Sequence, residues 1–228
     1  MKGVISKIMR IVAIVLMGLT VALTLLGGVG TTCVAFGAEK YPSMTPLVPV
    51  KWLYQILVIV SIAAGMAGIR AIIGLIKGTR WSYRETLIVL AVGGAAALIQ
   101  VVTSRILRGK STPTDMRLYV TILTLLVFLL FRIPKIWQSV DFTRSKGNTP
   151  GIAGGVAAMV LGILTLTVHI WAAPTHTFVG FNYADVWHIP LTVTGWALTL
   201  TGFGLLAGSV LITPLTNQNQ IETFEGAL

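Results

Sequence analysis

Acidic residues and cysteine are scarce in this chain. Of its 228 residues, 7 are Asp or Glu and one is cysteine, Cys33, so an internal disulfide is excluded. Charged residues make up 11% of the sequence and hydrophobic residues 55%, with a mean hydropathy of +0.86. Because a soluble domain of this size has too small a core to bury so much apolar surface, the composition indicates an integral membrane protein.

Motifs that identify a catalytic chemistry are also missing from the sequence. It contains no C-x-x-C, H-E-x-x-H or G-x-S-x-G pattern. Gly109-Lys110-Ser111 resembles the end of a phosphate-binding loop, but Ser104 stands where that loop requires its first glycine. Whether the protein is an enzyme stays open at this point, and no catalytic residue is assigned.

Apolar runs of membrane-spanning length recur along the chain. A transmembrane helix needs about 20 predominantly apolar residues, and the runs between charged or proline-containing breaks predict six such spans. Their limits lie near 11–36, 52–76, 86–104, 117–134, 151–172 and 190–212. Nearly every Trp and Tyr falls at the end of a run, where an amphipathic ring suits the interface. The predicted fold is therefore an all-α, polytopic transmembrane helical bundle over residues 1–214, with a short polar cytoplasmic tail over 215–228.

The first span is predicted to remain as an uncleaved anchor. Basic residues precede it, as in a secretory signal, and Ala35-Phe36-Gly37 offers a small-residue cleavage site. The apolar run from Ile11 to Gly30 is nevertheless longer than the roughly 7 to 15 residues of a signal core. Cleavage after this run is kept as the alternative.

The distribution of Lys and Arg predicts a multi-pass protein of the cell membrane with both termini cytoplasmic. Eleven of the 17 basic residues fall on the side of the termini and six on the opposite side. The exception is the loop 105–117, which places four basic residues outside. Since the basic residues lie in short loops beside apolar spans, the predicted partners are anionic lipid headgroups rather than nucleic acid.

Small residues spaced one helical turn apart provide faces for close helix contact, which is a main source of attraction between helices in lipid. Three such pairs are Ala64 with Gly68, Gly151 with Gly155, and Gly204 with Gly208. Their predicted role is packing within the chain, and the alternative is contact with other membrane subunits or with a second copy. Gln100, inside the third span, is predicted to bond to a neighbouring helix.

Three histidines and one acid fall near the connection between the fifth and sixth spans. His169 lies about one turn inside the fifth span, and His176 and Asp185 follow it before His188. A divalent metal is predicted to find ligands at His176, Asp185 and His188. A haem iron is predicted instead to bind His169 and His188. The alternative is that each histidine separately contacts headgroups, water or a backbone carbonyl.

Three functions are compatible with these features. The preferred one is a non-catalytic structural or anchoring subunit of a larger membrane complex, because the loops are short and no catalytic group is identifiable. A redox subunit holding haem, metal or quinone would depend on His169 and His188. A small channel or carrier is the third, although every carboxylate is predicted to lie outside the hydrocarbon, where cation-coupled carriers usually need one near the midplane.

Overall fold

The chain folds into two compact units, Met1–Ser145 and Lys146–Leu228. The computed structural model describes residues 2–112, 114–140, 142, 149–171, 177–178, 181–182, 185 and 187–225. The first unit is built on four long helices. The described part of the second has two long helices, with a short helix and a pair of short antiparallel strands between them in the sequence.

The four long helices of the first unit form a closed ring. Its elements are α1 (Lys2–Gly30), α2 (Thr32–Gly37), α3 (Lys51–Lys77), α4 (Ser82–Arg108), α5 (Thr114–Leu130) and α6 (Pro134–Val140). Two 3-10 segments, Ala38–Lys40 and Pro42–Val50, lie between α2 and α3. The helices α1 and α4 each pack against both α3 and α5, which closes the ring. The candidate site lies in its interior.

Glycines in the left-handed conformation end two of the ring helices. Gly78, at φ 75°, follows α3, and its N–H donates to the carbonyl of Gly74. Gly109, at φ 72°, follows α4, and its N–H donates to the carbonyl of Arg105. Since glycine alone adopts this conformation at little steric cost, these two positions fix where both helices stop.

Small residues let α1 approach α3 closely, as the pair Ala64 and Gly68 predicted. Ala64 is buried, and a Cβ on Gly68 would overlap the side chain of Val21 on α1. A Cβ on Gly65 would likewise overlap Leu25. A side chain at either glycine would therefore push α1 away from α3.

The second unit is a helical hairpin. It comprises α7 (Thr149–Leu166), α8 (Val168–Trp171), β1 (Thr177–Phe178), β2 (Phe181–Asn182) and α9 (His188–Glu225). The strands β1 and β2 pair antiparallel, with Thr177 opposite Asn182. The helices α7 and α9 pack directly on one another.

Glycines bring the backbones of α7 and α9 into contact. A Cβ on Gly155 would lie 2.9 Å from the carbonyl oxygen of Gly202, and a Cβ on Gly162 would lie 2.8 Å from that of Gly195. Of the predicted small-residue pairs, Gly151 with Gly155 therefore packs inside this hairpin. Gly204 and Gly208 do not, because no described heavy atom lies within 4 Å of a Cβ at either position.

All six predicted spans fall on helices, so the helical fold is confirmed in outline. Four segments have the length and hydropathy to cross a membrane: Ile8–Lys40, Pro42–Lys77, Ser82–Arg108 and His188–Ser209. The predicted fourth and fifth spans correspond to shorter helices, α5 of 17 residues and α7 of 18 residues. The last helix is longer than predicted, since α9 continues through the polar segment as far as Glu225.

Two predicted spans end earlier than their hydropathy indicated. The helix α5 stops at Leu130, and α6 begins at Pro134, because proline cannot donate a backbone hydrogen bond and favours the first turn of a helix. The helix α7 stops at Leu166, and a single residue, Thr167, separates it from α8. The predicted spans 117–134 and 151–172 are therefore not continuous helices.

Candidate functional site

Polar side chains line the interior of the four-helix ring. We call these buried residues the polar seam. Its members are Thr20, Thr24, Thr31, Ser61, Thr86, Gln100, Ser104, Arg117, Thr121 and Thr124. Because lipid offers no hydrogen bonds, each of these groups depends on partners within the protein.

Hydrogen bonds between side chains join the seam across the ring. They link Thr20 to Thr124 at 2.7 Å, Gln100 to Thr31 at 2.8 Å, and Ser104 to the buried Tyr54 at 3.0 Å. The second bond confirms that Gln100 reaches outside its own helix. In measured membrane proteins such bonds contribute on average about 0.6 kcal/mol each, so together they orient the helices more than they stabilise them.

Arg117 is the charged member of the seam, and it contacts three other helices. Its side chain leaves α5 near the first turn and is only 3% exposed. Its Nη2 donates to the Ser61 hydroxyl at 2.9 Å and to the Gly93 carbonyl at 3.4 Å. Ser61 and Gly93 lie near the middle of α3 and α4. On the α1 side, a Cβ on Gly27 would lie 3.0 Å from the Arg117 Cδ, so glycine there makes room for the arginine stem.

Two nitrogens of the Arg117 guanidinium, Nε and Nη1, have no hydrogen-bond partner among the described residues. The ion pairs within that part of the chain do not include Arg117. They are Lys51 with Glu39, Arg70 with Glu85, and Arg105 with Asp115. Burying a cation without a paired anion costs several kcal/mol, since it loses its hydration and gains little in return.

The interior of the ring has room beside Gly93. Gly93 is buried, yet a Cβ built on it would come no closer than 4.0 Å to any described atom outside its own helix turn, the nearest belonging to Thr24. At Gly65 and Gly68, by contrast, a Cβ built in the same way would overlap a neighbouring side chain. A space of about methyl size therefore adjoins the residue whose carbonyl accepts from Arg117.

Sequence reasoning missed this site, because it assigned Arg117 to the exposed basic loop 105–117. That assignment is wrong for its side chain, which points into the ring. A signal was present in the spacing of polar residues on α5. Arg117, Thr121 and Thr124 recur at intervals of four and three residues, which places them on one face of a helix. All three are buried.

Other arginines of the ring have partners that account for them. Arg10, on α1, donates from Nη2 to the carbonyl of Leu75 at 2.7 Å, close to the C-terminal end of α3. A cation at that end complements the exposed carbonyls of the helix. Arg70 is exposed and pairs with Glu85 at 3.0 Å. Arg117 differs from both in lying at mid-length of its neighbouring helices.

The histidines predicted as ligands lie in the second unit. His169 is an exposed residue of α8, with Nδ1 3.1 Å from the carbonyl oxygen of Leu166. His188 is exposed at the first position of α9, and Asp185 is also exposed. His176 lies outside the described residues. Within the part of the chain that is described, no group of three or more His, Cys, Asp or Glu side chains is arranged to hold a metal ion. The haem pair and the metal set stay predictions.

No protein-family model, curated protein or solved structure shows detectable similarity to this chain.

Proposed function

We propose that the protein is a non-catalytic structural or anchoring subunit of a larger complex in the cell membrane, with six spans and both termini cytoplasmic. Four helical segments have the length and hydropathy for crossing. At 1.5 Å per residue, α5 and α7 are about 26 and 27 Å long, which is close to the ~30 Å of a bilayer core. The short α8 adds to the length available after α7.

The outer face of α9 is the observation that carries this proposal. Gly195 and Gly202 turn toward α7, and Gly204, nine residues after Gly195, lies on the opposite side of the helix at about 100° per residue. Around Gly204 and Gly208 lie large, exposed apolar side chains: Val193, Trp196, Leu200 and Phe203. Helices in lipid associate by packing such side chains against small residues, so this face fits a transmembrane helix of a partner subunit.

The test is the size of the native assembly when the outer face is filled. With Gly204→Leu and Gly208→Leu combined, we expect the complex extracted in mild detergent to lose its partner and to shift to the mass of the chain alone. Gly30→Leu is the matched control, because Gly30 also has no described atom within 4 Å of its Cβ position but lies on α1. An assembly unaffected by the double substitution would count against the proposal.

A small channel or carrier is the second candidate, and Arg117 is the observation that favours it. Ionisable residues inside transmembrane bundles commonly lie on ion or substrate pathways. Flux of an anion through liposomes that contain only this chain, abolished by Arg117→Gln, would establish that function. Absence of flux in intact proteoliposomes would leave the anchoring function as the better explanation.

A further inference from the structure

We infer that a cleft between α4 and α5 binds one acyl chain of an anionic phospholipid. The cleft opens away from the interior of the ring and has a volume of about 160 Å³. One wall is the face of α4 between Leu90 and Leu98, and the other is the face of α5 between Leu118 and Leu125. This inference is independent of the anchoring function, which depends on α9 in the second unit.

The cleft is recessed and apolar. Leu90 and Leu118 in its lining are 1% and 7% exposed. A Cβ on Gly94 would lie 3.3 Å from the side chain of Thr121, so α4 and α5 are in contact at the base of the cleft. The Thr121 hydroxyl donates to the carbonyl of Arg117 at 2.7 Å, so its proton is already used within α5. Because the lining side chains leave no free donor for water, the cleft favours hydrocarbon, as apolar cavities in proteins do.

Two large side chains at the rim determine which kind of molecule enters. Leu98 on α4 and Ile122 on α5 are 50% and 44% exposed, one on each wall of the cleft. Helices that associate through small residues bring their backbones together, and these two side chains keep a neighbouring helix away from Gly94 and Ala95. A cavity of about 150 Å³ holds a molecule of the size of benzene, so this cleft has room for a section of an unbranched hydrocarbon chain.

The length of the cleft corresponds to one leaflet of a bilayer. Leu98 follows Leu90 by eight residues, which is about 12 Å along α4 at 1.5 Å per residue. One leaflet supplies about half of the ~30 Å hydrocarbon core. A chain that lies along the cleft therefore extends through most of one leaflet, and its headgroup comes to one end of the cleft.

Arg105 joins the two helices beyond one end of the cleft. It follows Leu98 by seven residues, which places both on the same face of α4. Its Nη2 donates to the carboxylate of Asp115 at 3.3 Å and to the hydroxyl of Tyr119 at 3.4 Å, and both acceptors belong to α5. The Arg105 side chain nevertheless remains 54% exposed, so its guanidinium is accessible to a headgroup.

The charge at this end of the cleft favours an anionic headgroup. Residues 105–116 carry three basic side chains, Arg105, Arg108 and Lys110, against one acidic side chain, Asp115. Lys110 is exposed. Phosphate oxygens accept strong hydrogen bonds from arginine, and basic residues at the membrane surface attract anionic lipids. An anionic phospholipid therefore supplies both a chain for the cleft and a negative charge for the residues beyond its end.

The experiment measures the lipid bound to the purified full-length chain by native mass spectrometry. The chain is delipidated in detergent and titrated with dioleoyl phosphatidylglycerol, with dioleoyl phosphatidylcholine, or with glycerophosphoglycerol, the soluble headgroup without acyl chains. We expect one phosphatidylglycerol to bind saturably per chain, about tenfold more tightly than phosphatidylcholine, because the choline cation opposes the basic residues. The soluble headgroup should not bind, since it has no chain to occupy the cleft.

Two variants, each with a matched control, test the two parts of the site separately. Ala95→Phe fills the cleft and should abolish the saturable binding of phosphatidylglycerol, whereas Ala67→Phe, at an exposed position of α3, should retain it. Arg105→Gln should reduce the preference for phosphatidylglycerol over phosphatidylcholine. Arg70→Gln, which removes an exposed arginine paired with Glu85, should leave that preference unchanged.

Three results would overturn the inference. The first is equal binding of phosphatidylglycerol by the two phenylalanine variants, and the second is equal affinity of the wild type for the two phospholipids. The third is a change in the mass of the native assembly in Ala95→Phe with phosphatidylglycerol binding unchanged, which would place a partner helix at the cleft instead of a lipid.

Discussion

The side chains of the polar seam contribute to helix packing in a different way from the apolar residues around them. In lipid, an apolar side chain gains little by moving from acyl chains to a helix interface, whereas a hydroxyl without a partner is costly. The contact between Thr20 on α1 and Thr124 on α5 illustrates this, since both hydroxyls are buried and lie 2.7 Å apart. Each can instead donate its proton to a carbonyl four residues earlier on its own helix, so neither depends on the other alone.

A double-mutant cycle on this pair tests its strength. Because Thr20 and Thr124 keep alternatives within their own helices, we expect a coupling free energy of about 0.5–1.5 kcal/mol between Thr20→Val and Thr124→Val. The measurement is the free energy of unfolding of both single variants and of the double variant in detergent. Strictly additive losses would mean that the two hydroxyls do not interact in the membrane protein.

The histidines give a second prediction at this scale, and it separates the anchoring function from the redox alternative. We expect the purified native preparation to show no Soret band and no stoichiometric transition metal by elemental analysis. His169 already lies against the carbonyl of Leu166, an interaction that suffices for an interfacial histidine. A Soret band that disappears in His169→Ala but persists in His176→Ala would favour the redox subunit and contradict the anchoring function.

At the scale of elements, glycine position decides how α7 and α9 meet. A Cβ on Gly202 would lie 2.6 Å from the carbonyl oxygen of Gly155, and backbone atoms cannot move aside as a side chain can. Gly204 is only two residues further along α9 but faces away from α7. The two glycines therefore lie in the same helix, but only Gly202 packs against α7.

Alanine substitutions at these two positions should change stability in opposite directions. Gly202→Ala is expected to lower the free energy of unfolding by about 1–3 kcal/mol, through overpacking. Gly204→Ala is expected to raise it by up to about 1 kcal/mol, because alanine is the better helix former and meets no atom there. Thermal unfolding of both variants provides the measurement. A loss of similar size in both would show that α9 presents a different face to α7.

Helix location could be predicted from this sequence more accurately than helix faces. The second span was predicted at 52–76 and α3 runs Lys51–Lys77, because charged residues and Gly78 mark both ends. The spacing of small residues predicts packing within the chain for Gly204 and Gly208, whereas Gly195 and Gly202 make the contact of α9 with α7. Spacing of small residues shows which positions share a face, but a helix with several such faces does not reveal which one its neighbour takes.

Sequence reasoning missed the candidate site for a related reason. Arg117 stands near the start of α5, next to residues that do belong to the surface, and its direction depends on where α3 and α4 lie. Hydropathy counts a charge at that position as a span boundary. Only the buried Thr121 and Thr124, one and two turns further along the same face, distinguish an inward arginine from one that extends to the interface.

For the whole molecule, the structure gives a physical account of the basic residues that oppose the proposed orientation. The loop 105–117 carries four of them on the side predicted to lie outside. Arg105 pairs with Asp115 at 3.3 Å, and Arg108 donates to the carbonyl of Ser43 at 2.9 Å. Arg117 points into the ring. Three of the four are therefore engaged within the protein, which weakens the argument against an outside location for this loop.

Cysteine labelling in intact cells tests the orientation directly. In a Cys33→Ser background, which retains a hydroxyl to replace the thiol bonded to the Gly30 carbonyl, single cysteines are placed at the exposed Thr79 and Thr112. These positions follow α3 and α4, so one helix of the ring separates them. We expect a membrane-impermeant maleimide to label Thr112→Cys in intact cells and Thr79→Cys only after permeabilisation, since the latter lies beside the basic segment that should stay cytoplasmic. The reverse pattern would place both termini outside, and labelling of both positions in intact cells would contradict a membrane crossing by α4.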